Sequence, residues 1–136
     1  KRVAMLSTLS EAEIWELVHA GRWTRLHARN EIVRENNPGR SMFFLAQGDV
    51  KVTQTGRLLN VIGPGEFFGE MGYICDGDLP RQATVESMSE VILAEFQDTA
   101  LDSMSKHCHS SFMRALVRNL ADRLALADLR ITNQTI

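Results

Sequence analysis

Two charged residues stand out in a glycine-rich, otherwise apolar stretch, "GEFFGEMGYICDGDLPRQATVES", which runs from Gly65 to Ser87. They are Glu70 and Arg81, and the segment "GEMGYIC" lacks strand-like alternation, so we expect one or two helical turns from Gly69. N–H groups at a helix start suit an anion, and the planar guanidinium of Arg81 matches phosphate oxygens. Glu70 repels phosphate, but it suits a ligand that also offers hydroxyl donors, as a ribose does. These residue types predict a nucleotide site.

The elements that must position these residues are predicted to be short strands. From Trp23 to Phe96 the apolar segments are rich in β-branched and aromatic residues and are separated by turn sequences such as "NNPGR" and "GPGE". Seven or eight strands with this spacing predict a jelly roll or small barrel. Seven of them are "WTRLHA", "EIVRE", "SMFFLAQ", "DVKVTQ", "RLLNVI", "QATVES" and "EVILAEF".

Helices are predicted on both sides of the strands. Ser10 and Glu13 have the spacing of a helix N-cap, and Gly21 closes that helix. After the strands, "QDTALDSMSK" predicts a short helix and "SSFMRALVRNLADRLALADLRI" a long one. The long helix carries an apolar stripe of Leu116, Leu120, Leu124, Ala127 and Ile131. Its spacing predicts a homodimer seam, and the alternative is that the stripe folds back on the chain's own strands.

Composition limits the function classes. The 136 residues, 44% of them hydrophobic, suffice for one packed core, so we expect one domain. A formal net charge of −2 lacks the basic excess of nucleic-acid binding, and neither a membrane span nor a signal peptide is visible. Two cysteines, Cys75 and Cys108, fit a reducing compartment. We expect a cytoplasmic protein without a nucleic-acid or membrane partner.

The segment "PGEFFGEMG" followed by "PRQATV" resembles the phosphate-binding cassette of cyclic nucleotide-binding domains, which occur in bacterial catabolite activators, kinase regulatory subunits and nucleotide-gated channels. The order of helix, strands and long helix is similar to that family over nearly the whole chain. The resemblance implies a mainly β fold with flanking helices, built as an eight-stranded β-roll. The implied single domain, 1–136, has a helical segment at 1–22, the roll at 23–96 with its cassette at 65–87, and helices at 97–136.

The resemblance also implies roles for individual residues. Glu70 would accept a hydrogen bond from the ribose 2′-hydroxyl, Arg81 would pair with an exocyclic oxygen of the cyclic phosphate, and backbone amides would complete the site. The ligand would be cyclic AMP or cyclic GMP, with no further cofactor and no metal. The implied ligand-binding residues are Gly69, Glu70, Met71, Gly72, Arg81, Gln82 and Ala83. The residues implied to complete the pocket are Val52, Leu59, Ile62, Phe68 and Arg123.

Two departures from the family pattern bear on which nucleotide base the site prefers. A third observation, the number of residues after the long helix, bears on DNA recognition. Relatives that prefer guanine carry a threonine or serine directly after the cassette arginine, and this chain has Gln82, so we expect a shallow preference for adenine. The long helix has Ala127 and Asp128 where the catabolite activator contacts adenine through hydroxyls. Five residues follow Ile131, too few for a winged helix that reads DNA.

Other interpretations of the same residues stay open. Glu70 and Arg81 also fit a structural ion pair or two surface charges; Val52, Leu59 and Ile62 fit ordinary core positions. Arg123 fits a solvated helix face. A ligand-free dimerising scaffold of the same fold is therefore an alternative function.

A metal enzyme is the third class considered. The segment "KHCH" places His107, Cys108 and His109 together, but residues two apart on a helix point to different sides. The outline of the roll is similar to that of cupins, whose metal sites need several histidines and a carboxylate on strands. In this sequence a single histidine, His27, lies in a predicted strand. Because the sequence shows no nucleophile with its base, we expect a sensor module and no enzyme.

Overall fold

The computed structural model describes residues 9–74 and 80–135, with side chains described except at positions 72 and 74 and beyond Ala121 on the last helix. Its elements, in chain order, are α1 Glu11–Ala20, β1 Arg22–Leu26, β2 Glu31–Val33, β3 Met42–Gln47, β4 Val50–Gln54, β5 Arg57–Ile62, β6 Glu66–Phe68, α2 Glu70–Ile74, β7 Thr84–Ser87, β8 Val91–Phe96, α3 Asp98–Asp102 and α4 Lys106–Thr135.

The eight strands form two antiparallel four-stranded sheets. Sheet A has the order β1-β8-β3-β6, and sheet B has the order β2-β7-β4-β5. The predicted eight-stranded β-roll with flanking helices is thereby confirmed. The strand absent from the seven predicted segments is β6, whose three residues are too short to show alternation and lie within the cassette stretch.

Alternation along β3 divides the core into two layers. Phe43 and Leu45 point between the sheets, where they pack with residues such as Phe68, Val85 and Leu93. Met42 and Phe44 point the other way, and the helices cover this outer face of sheet A. Residues of this outer layer include Phe67, Phe96, Leu101, Cys108, Phe112 and Leu116. The helices therefore close sheet A, while the inner face of sheet B is available to line a cavity.

Helix α1 begins as the sequence predicts. Ser10 is its N-cap and forms a reciprocal capping box with Glu13, whose side chain is almost fully buried. The Glu13 carboxylate also accepts a hydrogen bond from Ser111 Oγ at 2.8 Å and lies 2.9 Å from His107 Nε2. One carboxylate therefore caps α1 and ties it to α4.

The first two residues of the apolar stripe on α4 are not free to form the predicted dimer seam. Leu116 is buried in the outer core layer, and Leu120 packs against that layer. These two residues therefore belong to the apolar layer that covers the outer face of the chain's own sheet A. Leu124, Ala127 and Ile131 lie on α4, but their side chains are outside the described residues. A dimer seam is therefore open only for the far half of the helix.

No helix within residues 9–74 and 80–135 combines the length and apolar character that crossing a membrane requires.

Candidate functional site

A cavity of about 320 Å³ lies between the inner face of sheet B and the cassette. Its lining residues come from β2, β4, β5, β7 and the segments around α2. They are Val33, Val52, Leu59, Asn60, Ile62, Phe68, Gly69, Glu70, Met71, Pro80, Arg81, Gln82, Ala83 and Val85.

The floor of the cavity is one row of side chains across sheet B. Val33 pairs in register with Val85, Val85 with Val52, and Val52 with Asn60. Directly paired residues share a face of the sheet, so three valines and one asparagine lie side by side. The row is apolar until the edge strand β5, where Asn60 adds an amide.

The cassette begins with a tight backbone turn at Gly69. Its φ of +75° lies in the left-handed region, which a side chain disfavours. A Cβ atom there would also stand 3.1 Å from Arg81 Nη1 and 3.3 Å from Phe43 Cδ1. Glycine at this position therefore lets the chain turn into α2 while the guanidinium of Arg81 lies against the turn.

Arg81 is anchored by backbone carbonyls on two sides. Its Nη1 donates a hydrogen bond to Gly69 O at 2.9 Å, and its Nη2 donates to Ser41 O at 2.8 Å. The backbone of Arg81 is also fixed, because its N–H donates to Asn37 O at 2.8 Å and its carbonyl accepts from Asn36 N at 2.6 Å. These contacts use only part of the guanidinium's donor set.

The position of Arg81 affects its proton affinity. Burial of the half-buried guanidinium lowers its pKa, while the carboxylates of Glu95 and Glu70 act in the opposite direction. Arginine stays protonated in proteins in spite of such shifts. The cavity therefore contains a fixed cation that has lost part of its hydration, which increases its attraction for an anion.

Glu70 is the first residue of α2 and is half-buried in the cavity wall. Its electrostatic effect on Arg81 shows that the two side chains lie close enough to interact. The described lining thus places one arginine and one glutamate side chain on the same wall.

Most of the predicted site residues line this single cavity. They are Val52, Leu59, Ile62, Phe68, Gly69, Glu70, Met71, Arg81, Gln82 and Ala83. Gln82 lines the cavity and is exposed. Gly72 lies on α2 and Arg123 on α4, and the surroundings of both are outside what the structure describes.

Four lining residues are not among those predicted from the sequence: Val33, Asn60, Pro80 and Val85. Val33 and Val85 look like ordinary strand core in the sequence. Asn60 could have been predicted as a site residue, because it is a polar residue within the apolar segment "RLLNVI". Pro80 directly precedes Arg81, so its neighbourhood also pointed to the site.

The metal interpretation of "KHCH" finds no support in the described residues. His107 faces Glu13, while His109 Nε2 lies 3.0 Å from the Tyr73 hydroxyl and 3.9 Å from Asp102 Oδ1. Cys108 is buried, and burial raises the pKa of its thiol to about 11. Within the described chain no group of three or more His, Cys, Asp or Glu side chains could hold a metal.

Comparison with known proteins agrees with this geometry. The sequence model of the family "Cyclic nucleotide-binding domain" matches residues 23–108, which include all of the roll except its first residue, Arg22, together with the cassette. A solved cyclic nucleotide-binding domain from Methylobacillus flagellatus superimposes with a TM-score of 0.85 at 20% identity, covering 98% of this chain and 82% of that one. At this identity the superposition shows the fold.

Two curated relatives are more similar in sequence. The cAMP-dependent protein kinase regulatory subunit of Debaryomyces hansenii is 37% identical over 95 residues, 69% of this chain. A cyclic nucleotide-gated potassium channel of Mesorhizobium japonicum is 38% identical over 100 residues, 70% of this chain. The chain spans 21% and 27% of the lengths of these two relatives.

Proposed function

The chain belongs to the cyclic nucleotide-binding domain family, and from this premise we propose that it is a regulatory sensor whose sheet B cavity binds a 3′,5′-cyclic mononucleotide. The observation that carries the proposal is the convergence of Gly69, Glu70 and Arg81 on one cavity with an apolar floor. Arg81 supplies a cation for the singly charged cyclic phosphate, and Glu70 supplies an acceptor for the ribose hydroxyl.

The size and polarity of the cavity support a ligand of this kind. A volume of about 320 Å³ lies at the lower end of the range for small-molecule sites, which are mostly apolar with few polar groups. The valine row provides an apolar surface for a sugar or base. The predicted amide donors of Gly72, Gln82 and Ala83 complete the proposed site.

A thermal-shift titration tests the proposal against the ligand-free scaffold. Because a ligand that binds only the folded chain raises its melting temperature, we expect cyclic AMP to raise that temperature in a concentration-dependent way. Arg81→Ala should abolish or strongly reduce the increase. A wild-type melting temperature that stays constant to millimolar cyclic AMP and cyclic GMP would support the scaffold function instead.

For the base, the proposal is adenine over guanine by a small margin. Gln82 lacks the compact hydroxyl that a threonine or serine would offer, and its side chain is exposed. Folding this amide back over the phosphate would cost side-chain entropy. With no dedicated contact, the affinities should differ by about tenfold or less, which is about 1.4 kcal/mol.

Competition binding of cyclic AMP against cyclic GMP measures this preference. A clear preference for guanine would contradict the choice of base. An adenine preference above about a hundredfold would mean that Gln82 or α4 makes a specific contact with the base.

We also propose that the nucleotide signal leaves through α4. The cassette helix α2 contacts the C-terminal helices through Tyr73, whose hydroxyl donates to Asp102 Oδ1 at 2.9 Å and lies 3.0 Å from His109 Nε2. A homodimer through the far half of α4 and a cytoplasmic location complete the proposal. They rest on the leucine spacing and the cysteine content of the sequence.

A further inference from the structure

Behind Arg81, on the side away from the nucleotide cavity, lies a second group of polar side chains. Ser41, just before β3, accepts the Nη2 hydrogen bond of Arg81 with its carbonyl at 2.8 Å. The hydroxyl of the same residue donates to Glu95 Oε2 on β8, also at 2.8 Å. A continuous chain of hydrogen bonds therefore joins Arg81, Ser41 and Glu95.

The guanidinium is also held by close packing. A Cβ atom on Gly39 would stand 2.5 Å from Arg81 Nε and 2.6 Å from Nη2, so the backbone of Gly39 lies directly against the guanidinium. A second cavity, of about 500 Å³, opens on this side and is lined by Gly39, Ser41, Arg81 and Glu95 among others. Arg81 thus lies between two cavities, with the proposed phosphate site on one side and Ser41 and Glu95 on the other.

Strand register explains how Glu95 reaches this position. Phe43 on β3 pairs with Glu95 on β8 and with Phe68 on β6, the strand that leads into Gly69. The two phenylalanine rings stack with centroids 5.1 Å apart and interplanar angle 12°. Glu95 and the cassette are therefore fixed to opposite edges of β3, and a shift of either would be transmitted through one strand.

We propose that Glu95, acting through Ser41, is a positioning residue that holds Arg81 in the orientation that receives the ligand phosphate. This inference rests on the proposed function. Glu95 lies behind the guanidinium and does not line the nucleotide cavity, so it acts through another residue. Its hydrogen bond fixes Ser41, and the carbonyl of Ser41 fixes the guanidinium of Arg81.

The charge of Glu95 has two opposed effects on the ligand. A carboxylate supports the half-buried cation, but its negative charge repels the incoming phosphate. Glutamine at this position keeps an acceptor for the Ser41 hydroxyl and removes both electrostatic effects. The positioning role therefore predicts that Glu95→Gln keeps most of the affinity, while Glu95→Ala and Ser41→Ala lose it.

Calorimetric titration of the wild-type chain and its variants with cyclic AMP tests the inference. We expect Glu95→Ala and Ser41→Ala each to weaken binding by about tenfold, and Glu95→Gln to stay within about threefold of the wild type. Glu90→Ala is the matched control, because Glu90 is an exposed carboxylate just before β8 that lines neither cavity. Its affinity should equal that of the wild type.

A double-mutant cycle separates positioning from a general effect on the fold. In the Arg81→Lys background, where the planar fork is absent, Glu95→Ala should change the affinity by less than about twofold. An equal loss in both backgrounds would assign Glu95 a merely structural role and overturn the inference.

Other outcomes are equally decisive. Glu95→Ala within about twofold of the wild type would overturn the inference, and so would Ser41→Ala at wild-type affinity. A wild-type chain that binds neither cyclic AMP nor cyclic GMP would overturn the proposed function and this inference with it. Binding by the wild type with no loss in Glu95→Ala would overturn the inference alone.

Discussion

At the scale of residues, the site depends on one cation that has lost part of its hydration and keeps a fixed direction. Arg81 donates to two backbone carbonyls and lies against Gly39, so little side-chain entropy is left to lose when a phosphate binds. Fixed donors bind an anion more strongly than mobile ones, because the cost of ordering them has already been met in folding.

Replacing Arg81 should therefore have a large effect on binding. Removing one partner of a largely desolvated charge pair costs about 2–5 kcal/mol, so Arg81→Ala should weaken cyclic AMP binding by about 30-fold to several thousandfold. Arg81→Lys should recover only part of the loss, since it keeps the charge but not the planar fork. Calorimetry measures both variants.

Arg25→Ala is a suitable control for that experiment. Arg25 is an exposed arginine on β1, in the other sheet, where its contact with Glu90 at 3.7 Å is solvent-accessible. Its loss should leave the affinity unchanged. If Arg81→Ala binds within about threefold of the wild type, Arg81 does not belong to the site.

Site residues that are close together in the sequence could be predicted from it, whereas residues far apart in the sequence could not. Gly69, Glu70 and Arg81 share one short stretch, so their types and spacing predict a ligand site before the fold is known. Ser41 and Glu95 are 54 residues apart, and only the pairing of β3 with β8 brings them together behind Arg81. No local pattern contains that information, because it depends on strand register.

At the scale of elements, α1 is joined to α4 by the carboxylate of Glu13. Hydrogen bonds from the Ser10 backbone and the Ser111 hydroxyl favour the ionised form, so the pKa of Glu13 falls below its ordinary value of 4.5. A lowered pKa in the folded state means that the ionised carboxylate stabilises the fold above the unfolded pKa. That stabilisation is lost as the pH falls through the folded pKa.

The pH dependence of unfolding tests this assignment. Between about pH 6 and about pH 3 the wild type should lose more free energy of unfolding than Glu13→Gln, which has no proton to take up at this position. Glu11→Gln, which removes an exposed carboxylate from the same first turn, is the control for the loss of one negative charge from α1. Parallel curves for the wild type and Glu13→Gln would show that Glu13 is not linked to folding. Urea unfolding at each pH provides the free energies.

The second link between elements joins the cassette helix α2 to α3 and α4 through Tyr73. If ligand binding shifts α2, the hydrogen bonds of the tyrosine hydroxyl should carry part of that shift to Asp102 and His109. Tyr73→Phe keeps the ring and removes the hydroxyl. We therefore expect the affinity of Tyr73→Phe for cyclic AMP to stay within about threefold of the wild-type affinity. The protection of residues 106–113 from hydrogen exchange on binding should be smaller in the variant than in the wild type.

Ser103→Ala is the control for this link, because the described hydrogen bond of the Ser103 hydroxyl is local and runs back to Ala100 O in α3 at 2.9 Å. Its ligand-induced protection should equal that of the wild type. The same protection pattern in Tyr73→Phe would remove the hydroxyl from the signalling route.

Most elements were predictable because their signals are local. The Ser10 and Glu13 spacing predicted the start of α1, and β-branched and aromatic content between turn sequences predicted seven strands. The role of the α4 stripe was not predictable in this way. Leucines four apart suit a dimer seam and a sheet cover equally well, and the buried position of Leu116 follows from where α4 lies on sheet A.

At the scale of the whole molecule, two chains are proposed to meet through the far half of α4. Leu124→Lys places a charge in that seam, so we expect a dimeric wild type and a monomeric variant by light scattering. Val117→Lys is the control, since Val117 is 64% exposed on the same helix. A monomeric wild type would rule out the dimer, and a Leu124→Lys variant that stays dimeric would place the interface elsewhere.

The central claim is that the cavity is built for a cyclic phosphate. A linear 5′-monophosphate carries an additional negative charge and an open geometry, while the described cavity wall combines one cation with the carboxylate of Glu70. Calorimetric titration of the wild-type chain with cyclic AMP and with 5′-AMP is the most direct measurement. We predict that cyclic AMP binds at least about tenfold more tightly. Equal affinity for the two nucleotides would contradict the claim.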